Sequence, residues 1–489
     1  MHAHIQAPAP PQHWRNHFAD LGLQFYTPLD PQGLPAPYWV ASSQPCAQLL
    51  GLPENWQAIP QSLDVFSGNG SWPGMQTLAS VYSGHQFGVW AGQLGDGRAL
   101  YLGELAGQEL QLKGAGMTPY SRMGDGRAVL RSSIREFIAS EAMHALGVPT
   151  TRALCLTGSA LPVRRETIET AAVLTRVAPS FIRFGHFEHF SYREQPENLR
   201  KLADFVIEHY ATECGNAQQP YAGLLAWVAQ QTATLMAHWQ SLGFCHGVMN
   251  TDNMSVLGLT LDYGPFGWLD AFDPGHICNH SDSKGRYSWA RQPQMAFWNL
   301  HALAQACMPL MGNDSDAAIQ AIGGYRDRFE VQMQSRWRAK LGLEQAQAGD
   351  ADLIDDWLRL MAANQADFSL AFRRLNLVKR ASASTAPQLK ALFHDQAALE
   401  VWLERYRARL SAQPLSDTAR HDFLNAHNPA TLPRNYLLET AIQQAQAGDF
   451  SEVQRLLAVL QDPYREPDIA QDAALPPDWA RGIELSCSS

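Results

Sequence analysis

A glycine-rich stretch with the sequence GQLGDGR, residues 92–98, lies between two short strand-like runs, 87–91 and 99–105. Phosphate loops of the Rossmann or Walker type open a helix, and the N-terminus of that helix binds the phosphate. A glycine-rich hairpin between strands instead lets backbone amides lie over phosphate groups. The position of this stretch therefore disfavours a dinucleotide-binding fold, although Asp-Gly is also common in simple tight turns.

Lys113 and Glu136, which come later in the chain, extend this pattern. Lys113 ends a strand-like run, and a helix predicted over 128–146 carries Glu136. A glycine-rich hairpin, a strand lysine and a helix glutamate occur in this order in the N-terminal lobe of protein kinases. Each residue alone is more often a surface lysine or a solvated glutamate. Glu141, on a neighbouring stripe of the same helix, is a rival partner for Lys113.

A second polar cluster begins at His246, ends at Asn253 and is followed by an apolar run and Asp262-Tyr-Gly. Its ends match the kinase catalytic loop HRDLxxxN, and Asp262-Tyr-Gly resembles the metal-binding DFG triplet. The catalytic aspartate of a kinase is missing, because Val248 stands in its place, and Asp252 is the available replacement. Asn253 and Asp262 supply the oxygen ligands that Mg²⁺ accepts.

The order of motifs in protein kinases does not account for two further segments of the chain. One is a second glycine-rich stretch, residues 113–127, which contains Asp125 and Gly126. The other carries Arg176 and Arg183 on either side of Ala-Pro-Ser. Arginine can hold a phosphate through two parallel hydrogen bonds, although a surface role is the commoner one for a single arginine.

Composition excludes several classes of protein and partner. The 489 residues are 46% hydrophobic and carry a net charge of −10, which is typical of a globular protein and unfavourable for nucleic-acid binding. No apolar run approaches the ~20 residues that span a bilayer, and residues 1–14 lack the pattern of a signal peptide. We therefore expect a cytoplasmic protein with no nucleic-acid or membrane partner.

The seven cysteines are scattered and show no CxxC spacing, which argues against a disulfide framework or a zinc knuckle. Zinc ligands could be sought at His276, Cys278 and His280, or at His186 and His189. Neither group supplies a complete set of four ligands, so a zinc site is disfavoured.

The order of predicted elements indicates an α+β fold. Proline and glycine punctuate the first 75 residues, which suggests an irregular arm. Strand-like runs follow around one helix, at 99–105, 109–112, 152–156 and 171–177. The rest of the chain is mainly helical, with helices predicted at 197–209, 224–242, 293–307, 435–447 and 451–460.

These elements suggest a bilobal, protein-kinase-like fold with a mixed-sheet N-lobe, one key helix and a helical C-lobe. We expect four parts, which are an N-terminal arm over 1–77, the N-lobe over 78–190, a C-lobe with the catalytic and metal loops over 191–320, and a helical C-terminal extension with a tail over 321–489.

Over most of its length the chain resembles the SelO/YdiU (selenoprotein O) family of protein adenylyltransferases, which have a kinase-like, pseudokinase fold. The segments that carry the resemblance are long and distinctive, namely YSGHQFG at 82–88, GAGMTPYSR at 114–122, RFGHFEHF at 183–190, HGVMNTDNM at 246–254 and LDYGPFG at 261–267.

The resemblance implies that AMP moves from ATP to Ser, Thr or Tyr hydroxyls of proteins, with release of pyrophosphate. It implies Mg²⁺ as the metal, with Mn²⁺ and UTP as alternatives described for some bacterial members. It also implies that ATP lies inverted relative to a kinase, so that the α-phosphate faces the nucleophile. The β- and γ-phosphates then form the leaving group.

The resemblance also assigns a role to each candidate residue. Asp252 is the implied general base, Asn253 and Asp262 bind metal, and Glu136 orients Lys113. The remaining positions would contact the nucleotide, with Lys113, Arg176 and Arg183 on the triphosphate, Gly95, Gly97 and Arg98 in the glycine-rich loop, and Asp125 and Gly126 along the nucleotide site.

Two other functions stay open from the sequence. Lys113, Glu136, Asn253 and Asp262 could serve a conventional protein or small-molecule kinase, although Val248 speaks against it. A pseudokinase scaffold that binds nucleotide as a switch is the second alternative.

Cys487 stands where family members in other organisms carry selenocysteine. Our hypothesis for this position is a reversible disulfide with Cys278, with two inert thiols as an equally plausible reading.

Overall fold

The computed structural model of the protein describes residues 8–380 and 386–485. Its architecture is mixed α+β, with an antiparallel sheet in the first part of the chain and helices in the rest. The strands are β1 (Tyr26–Pro28), β2 (Tyr38–Ser42), β3 (Leu78–Ser80), β4 (Ser83–Gln86), β5 (Val89–Gln93), β6 (Ala99–Leu105), β7 (Gln108–Lys113), β8 (Ala128–Val129), β9 (Arg152–Arg164), β10 (Ile168–Ala178), β11 (Phe244–Cys245) and β12 (Gly267–Trp268).

The α-helices are α1 (Gln44–Leu49), α2 (Ser62–Phe66), α3 (Leu130–Ala145), α4 (Phe184–Tyr192), α5 (Pro196–Tyr210), α6 (Pro220–Ser241), α7 (Gln292–Cys307), α8 (Ser315–Lys340), α9 (Asp350–Asn364), α10 (Phe368–Arg373), α11 (Pro387–Lys390), α12 (Gln396–Ser411), α13 (Asp417–His427), α14 (Asn435–Gln446) and α15 (Ser451–Leu460). Short 3₁₀ turns connect several of them, and one of these turns, Thr251–Asn253, lies in the second polar cluster. Among the described helices, none combines the length and the apolar character that crossing a membrane requires.

The main sheet has the strand order β1-β3-β6-β7-β10-β9-β2, and β8 pairs with β10 beside this path. All of its pairings are antiparallel, whereas the sequence suggested a mixed sheet. The first 75 residues are more regular than the sequence suggested, because β1 and β2 join this sheet at its two ends. Strands this short, between prolines, give no clear period-2 pattern.

The register of β7 and β10 gathers polar side chains on one face of the sheet. Arg176 of β10 lies directly opposite Gln111 of β7, and Lys113 is two residues farther along β7. Because alternate residues of a strand share a face, these three side chains point the same way. That face is covered by α3, which packs on β9 and β10.

Helix α3 begins directly after β8 and ends at Ala145, close to its predicted end, before Gly147 with a φ of +77°. Its inward face is fully buried and includes Glu136. The last two helices, α14 and α15, return from the end of the chain and pack on α3, where Arg135 donates to the Asn435 side-chain oxygen at 3.3 Å. The division of the chain into four parts stays a prediction.

Candidate functional site

A cavity of about 770 Å³ lies between the main sheet and the loops that follow α6. It brings together residues that are up to 183 positions apart in the sequence, from Tyr82 to Pro265. Its lining contains every site residue predicted from the sequence except Glu136, namely Gly95, Gly97, Arg98, Lys113, Asp125, Gly126, Arg176, Arg183, Asp252, Asn253 and Asp262.

Glu136 lies immediately behind the cavity wall, where its carboxylate forms an ion pair with the Lys113 ammonium. The rival glutamate is used elsewhere, because Glu141 accepts two 2.7 Å hydrogen bonds from Arg152. The strand lysine and the helix glutamate therefore meet as the kinase-like order predicts, and the pair fixes the ammonium at the end of β7.

Two buried arginines converge on one carboxylate. Arg176 and Arg183 each donate from Nη1 to a different oxygen of Asp262, and Arg183 also donates to the Asp252 carbonyl at 2.8 Å. Arg176 is held from behind by the Gln111 side chain at 2.5 Å. Asp262 itself has a φ of +55°, which is an uncommon conformation for a residue other than glycine and a mark of functional positions.

The charges of this cluster shift its ionisation. Burial alone would raise the pKa of Asp262, but Arg183, Arg176 and Lys113 outweigh it and hold the pKa well below its usual range. Burial lowers the pKa of Lys113, and the neighbouring arginines add to this effect, while Glu136 opposes it. Three cations, Lys113, Arg176 and Arg183, face the two carboxylates of Glu136 and Asp262. The cluster carries a surplus positive charge that suits a polyphosphate.

The two glycine-rich stretches form the outer wall of the cavity and pack against each other. A Cβ atom on Gly95 would come within 2.5 Å of the Tyr120 ring, and one on Gly126 within 2.1 Å of the Gly116 carbonyl carbon. Arg98 is exposed, and in the part of the chain that the structure describes its guanidinium has no hydrogen bond or ion pair. Asp125 pairs with Arg165 at 2.7 Å, which lowers the pKa of that carboxyl.

The second polar cluster forms a tight loop that presents two oxygen-bearing side chains. His246 bonds the Leu261 carbonyl at 2.8 Å, which ties the loop to the segment leading into Asp262. Asn253 donates from Nδ2 to the Val248 carbonyl at 3.0 Å, which leaves its side-chain oxygen available as a ligand or hydrogen-bond acceptor. Val248 stands in the cavity wall with no acid or base to offer.

Asp252 follows in the same loop and is a further carboxylate of the cavity. Burial raises its pKa to about 6 despite opposing contributions from Gln86 and Arg183. Its Oδ2 accepts a 3.2 Å hydrogen bond from Gln86, while its Oδ1 is buried without a partner among the described residues. An ionised acid with this pKa can accept a proton near neutral pH.

Comparison with known proteins places this arrangement in a family. A family model described as protein adenylyltransferase SelO matches residues 11–461. The chain belongs to the SelO family. Three similar proteins, each named protein nucleotidyltransferase YdiU, come from Paraburkholderia xenovorans, Cupriavidus pinatubonensis and Albidiferax ferrireducens. They are 55%, 54% and 54% identical to this chain over 96%, 96% and 97% of its length and 95%, 94% and 97% of theirs.

The resemblance to SelO that the sequence suggested is thereby confirmed, and several residues of the cavity now stand out that sequence reasoning missed. Gln86 and Phe87 come from the YSGHQFG segment, which marked the family but had no assigned role. Arg127, Arg164 and Arg165 add further positive charge along the outer rim. Their signal in the sequence was weak, because isolated arginines in loops are usually solvated.

The SelO resemblance singled out Cys487, and our hypothesis paired it with Cys278 in a reversible disulfide, with two inert thiols as the alternative. Cys278 is buried, its thiol donates to the Cys245 carbonyl at 3.3 Å, and burial raises its pKa well above the usual range. Cys487 lies outside the described residues. The last described residue, Leu485, accepts a 2.8 Å backbone hydrogen bond from His280, two residues beyond Cys278. The disulfide stays a prediction.

Proposed function

We propose that this chain transfers AMP from ATP to Ser, Thr or Tyr hydroxyls of proteins with release of pyrophosphate, and that UTP serves as a second nucleotide donor. The observation that carries the proposal is the convergence of Arg176 and Arg183 on Asp262, beside the Lys113–Glu136 pair, in a cavity that also holds Asp252. Family membership supports the same reaction class.

We propose a bilobal, protein-kinase-like arrangement as the scaffold. The antiparallel sheet with α3 corresponds to the N-lobe, and the loops and helices from α5 onward correspond to the C-lobe. The pairing of Lys113 with Glu136, and the order of His246, Asn253 and Asp262 along the loops, support this reading.

The cations of the cavity suit a pyrophosphate leaving group. Phosphoryl-type transfer depends mainly on positioning and charge neutralisation, so cations that are fixed before the reaction stabilise its transition state. Arg176 and Arg183 are held in place by Asp262, and Lys113 by Glu136. With the triphosphate bound, the arginines contact its oxygens, and the unpaired Arg98 adds a further charge from the glycine-rich loop.

Asn253 and Asp262 fit a divalent cation, Mg²⁺ or Mn²⁺. Both offer hard oxygen ligands, and the Asn253 amide is oriented by its hydrogen bond to Val248. Such an ion, when bound, neutralises charge on the phosphate oxygens. Asp262 would be free to hold the ion once the triphosphate is bound, because Arg176 and Arg183 would then pair with phosphate oxygens instead of with its carboxylate.

Asp252 acts as the general base. The acceptor hydroxyl loses its proton to the Asp252 carboxylate, its oxygen forms the new bond to the α-phosphorus, and the bond from that phosphorus to the bridging oxygen of pyrophosphate breaks. The Gln86 hydrogen bond orients the carboxylate toward this proton. A conventional kinase would place the γ-phosphorus here, but Val248 stands where its base would be.

Parallel incubations with α-labelled and γ-labelled ATP test the reaction. We expect label on protein only from the α-position. Label only from the γ-position would mean a kinase, and no label from either would mean a nucleotide-binding scaffold.

A further inference from the structure

The β4–β5 hairpin, residues 83–93, lies against the loop of the second polar cluster, residues 246–253, and is fixed to it by three hydrogen bonds. The His85 amide donates to the Thr251 hydroxyl at 2.7 Å, and the Phe87 amide donates to the Asn250 side chain at 3.0 Å. The third is the Gln86 bond to Asp252. The tip of the hairpin is therefore held at a set distance from the candidate base.

The turn of this hairpin contains an unfavourable residue. Phe87 and Gly88 both have positive φ, +52° and +82°, as in the type I′ turns that favour Asn-Gly. A bulky residue in the left-handed region costs roughly 1–2 kcal/mol. Phe87 nevertheless occupies this position, and its ring is 37% exposed at the mouth of the cavity. Strain kept at an exposed site indicates that the side chain has a function there.

The strand after the turn continues the exposed apolar surface. Val89 is 70% exposed and Trp90 36% exposed, although hairpin tips usually carry polar residues. Trp90 stacks on the 42% exposed Tyr192 of α4, with ring centroids 4.0 Å apart. Successive residues of a strand point to opposite faces, so Val89 and Trp90 place exposed apolar side chains on both faces of β5. Exposed apolar side chains gathered on one short element mark an interaction site. We call Phe87, Val89, Trp90 and Tyr192 the hairpin surface.

Strand β5 also has an open edge. Within the described residues it pairs only with β4, in a sheet of two strands. An edge strand presents unpaired N–H and C=O groups, to which an extended polypeptide can add as a further strand. Main-chain hydrogen bonds then supply affinity, and the apolar side chains select the sequence.

We propose that the hairpin surface and the open edge of β5 dock an extended apolar segment of the protein that accepts the nucleotide. This proposal rests on the proposed transfer to protein hydroxyls. Gln86 and Phe87 before β5 and Leu94 and Gly95 after it all line the cavity, so β5 runs beside the cavity from one end to the other. A strand laid along β5 therefore brings its neighbouring residues close to Asp252. The class of substrate is a polypeptide with an extended stretch of apolar residues beside the acceptor hydroxyl.

Synthetic peptides test this inference. Each carries one tyrosine, flanked by valine and phenylalanine in one series and by serine and glutamate in the other, and N-acetyl-tyrosinamide serves as an acceptor without flanks. With α-labelled ATP we expect kcat/KM to be about tenfold higher for the apolar series, a typical effect of a few interface contacts. Val89→Lys abolishes this preference without changing nucleotide affinity, because Val89 does not line the cavity. Trp90→Ser provides a second variant.

Val401→Lys is the matched control, because Val401 is 62% exposed on α12. We expect this variant to retain the preference of the wild type. Equal rates on both peptide series with the wild type, or an undiminished preference in both hairpin variants, would overturn the docking proposal while leaving the proposed function intact. Absence of α-label on every acceptor, N-acetyl-tyrosinamide included, would overturn the proposed function and the docking proposal with it.

Discussion

Replacing Asp262 by asparagine removes a charge that two buried arginines share. Arg176 and Arg183 have side chains that are 2% exposed, and each forms an ion pair with the Asp262 carboxylate. Among the described residues, the variant leaves Arg176 with Glu136 at 3.5 Å as its one acidic partner. Removing one partner of a buried ion pair costs about 3–5 kcal/mol, so we expect Asp262→Asn to lose stability of this order in the free protein.

This loss corresponds to a measurable change in melting temperature. With an unfolding entropy of about 2.1 cal/mol/K per residue, a cooperative unit of 489 residues changes by about 1 °C for each kcal/mol. Differential scanning calorimetry of the free Asp262→Asn protein should therefore show a Tm about 3–5 °C below the wild type.

Nucleotide affinity distinguishes the two roles of Asp262, which pairs with the arginines in the free protein and binds metal in the proposed complex. Without metal, the variant should bind a non-hydrolysable ATP analogue more tightly than the wild type, because its arginines have lost their anionic competitor. With Mg²⁺, the wild type should gain affinity and the variant should not, because the carboxylate ligand is missing. Isothermal titration calorimetry with and without Mg²⁺ measures both effects.

Asp367→Asn is the matched control. Asp367 is buried and accepts hydrogen bonds from Arg434 at 2.6 and 2.9 Å, outside the cavity. This variant should lose comparable stability and keep the affinity and the Mg²⁺ dependence of the wild type. A wild-type Mg²⁺ dependence in Asp262→Asn would refute the assignment of Asp262 as a metal ligand, and an unchanged Tm would refute the electrostatic reasoning.

Three further predictions concern single residues. Gln86→Leu should lower kcat by about 10- to 150-fold at unchanged nucleotide affinity, since one lost hydrogen bond to a charged group is worth about 1.5–3 kcal/mol. A loss of nucleotide affinity instead would contradict a role confined to Asp252. Glu136→Gln should weaken ATP binding, because it removes the ionic partner of Lys113, whereas Glu141→Gln should mainly lower Tm, because it removes that of Arg152. Steady-state kinetics and thermal melts of both variants distinguish these effects, and the reverse pattern would favour Glu141 as the partner of Lys113. Burial raises the pKa of Glu109 to about 8 in the folded protein, so the folded state holds this proton more tightly than the unfolded state does. The contribution of Glu109 to the free energy of unfolding is therefore largest below its unfolded pKa and falls as pH rises toward 8. Between pH 5 and pH 7 the free energy of unfolding of the wild type should therefore fall by about 2–3 kcal/mol relative to that of Glu109→Gln. Denaturant melts measure both values, and the same pH dependence in the two proteins would contradict the prediction.

The sequence predicted the parts of the fold that carry strong periodic signals. Strand β6 and helix α15 lie at the predicted bounds, and α3 deviates only at its ends. Helix α4 was missed, because its aromatic and histidine residues are buried on all sides and leave no amphipathic stripe. The strands β1 and β2 were missed because their partners lie far along the chain, and local patterns cannot show such pairing.

The candidate site was predictable where a motif fixes both residue type and order. Lys113 was expected to need a glutamate partner, but the choice between Glu136 and Glu141 required the packing of α3 on the sheet. The contact between Gln86 and Asp252 could not be foreseen, since 166 residues separate them and only the folded loops bring them together. The pairing of Arg176 with Asp262 likewise depends on the register of β10.

A crystal structure with Mg²⁺ and a non-hydrolysable ATP analogue would show how the nucleotide is oriented in the cavity. We predict that the α-phosphorus lies nearest the Asp252 carboxylate, with the β- and γ-phosphates among Lys113, Arg176 and Arg183. A structure with the γ-phosphorus nearest Asp252 and the α-phosphate farther from it would contradict adenylyl transfer at this site.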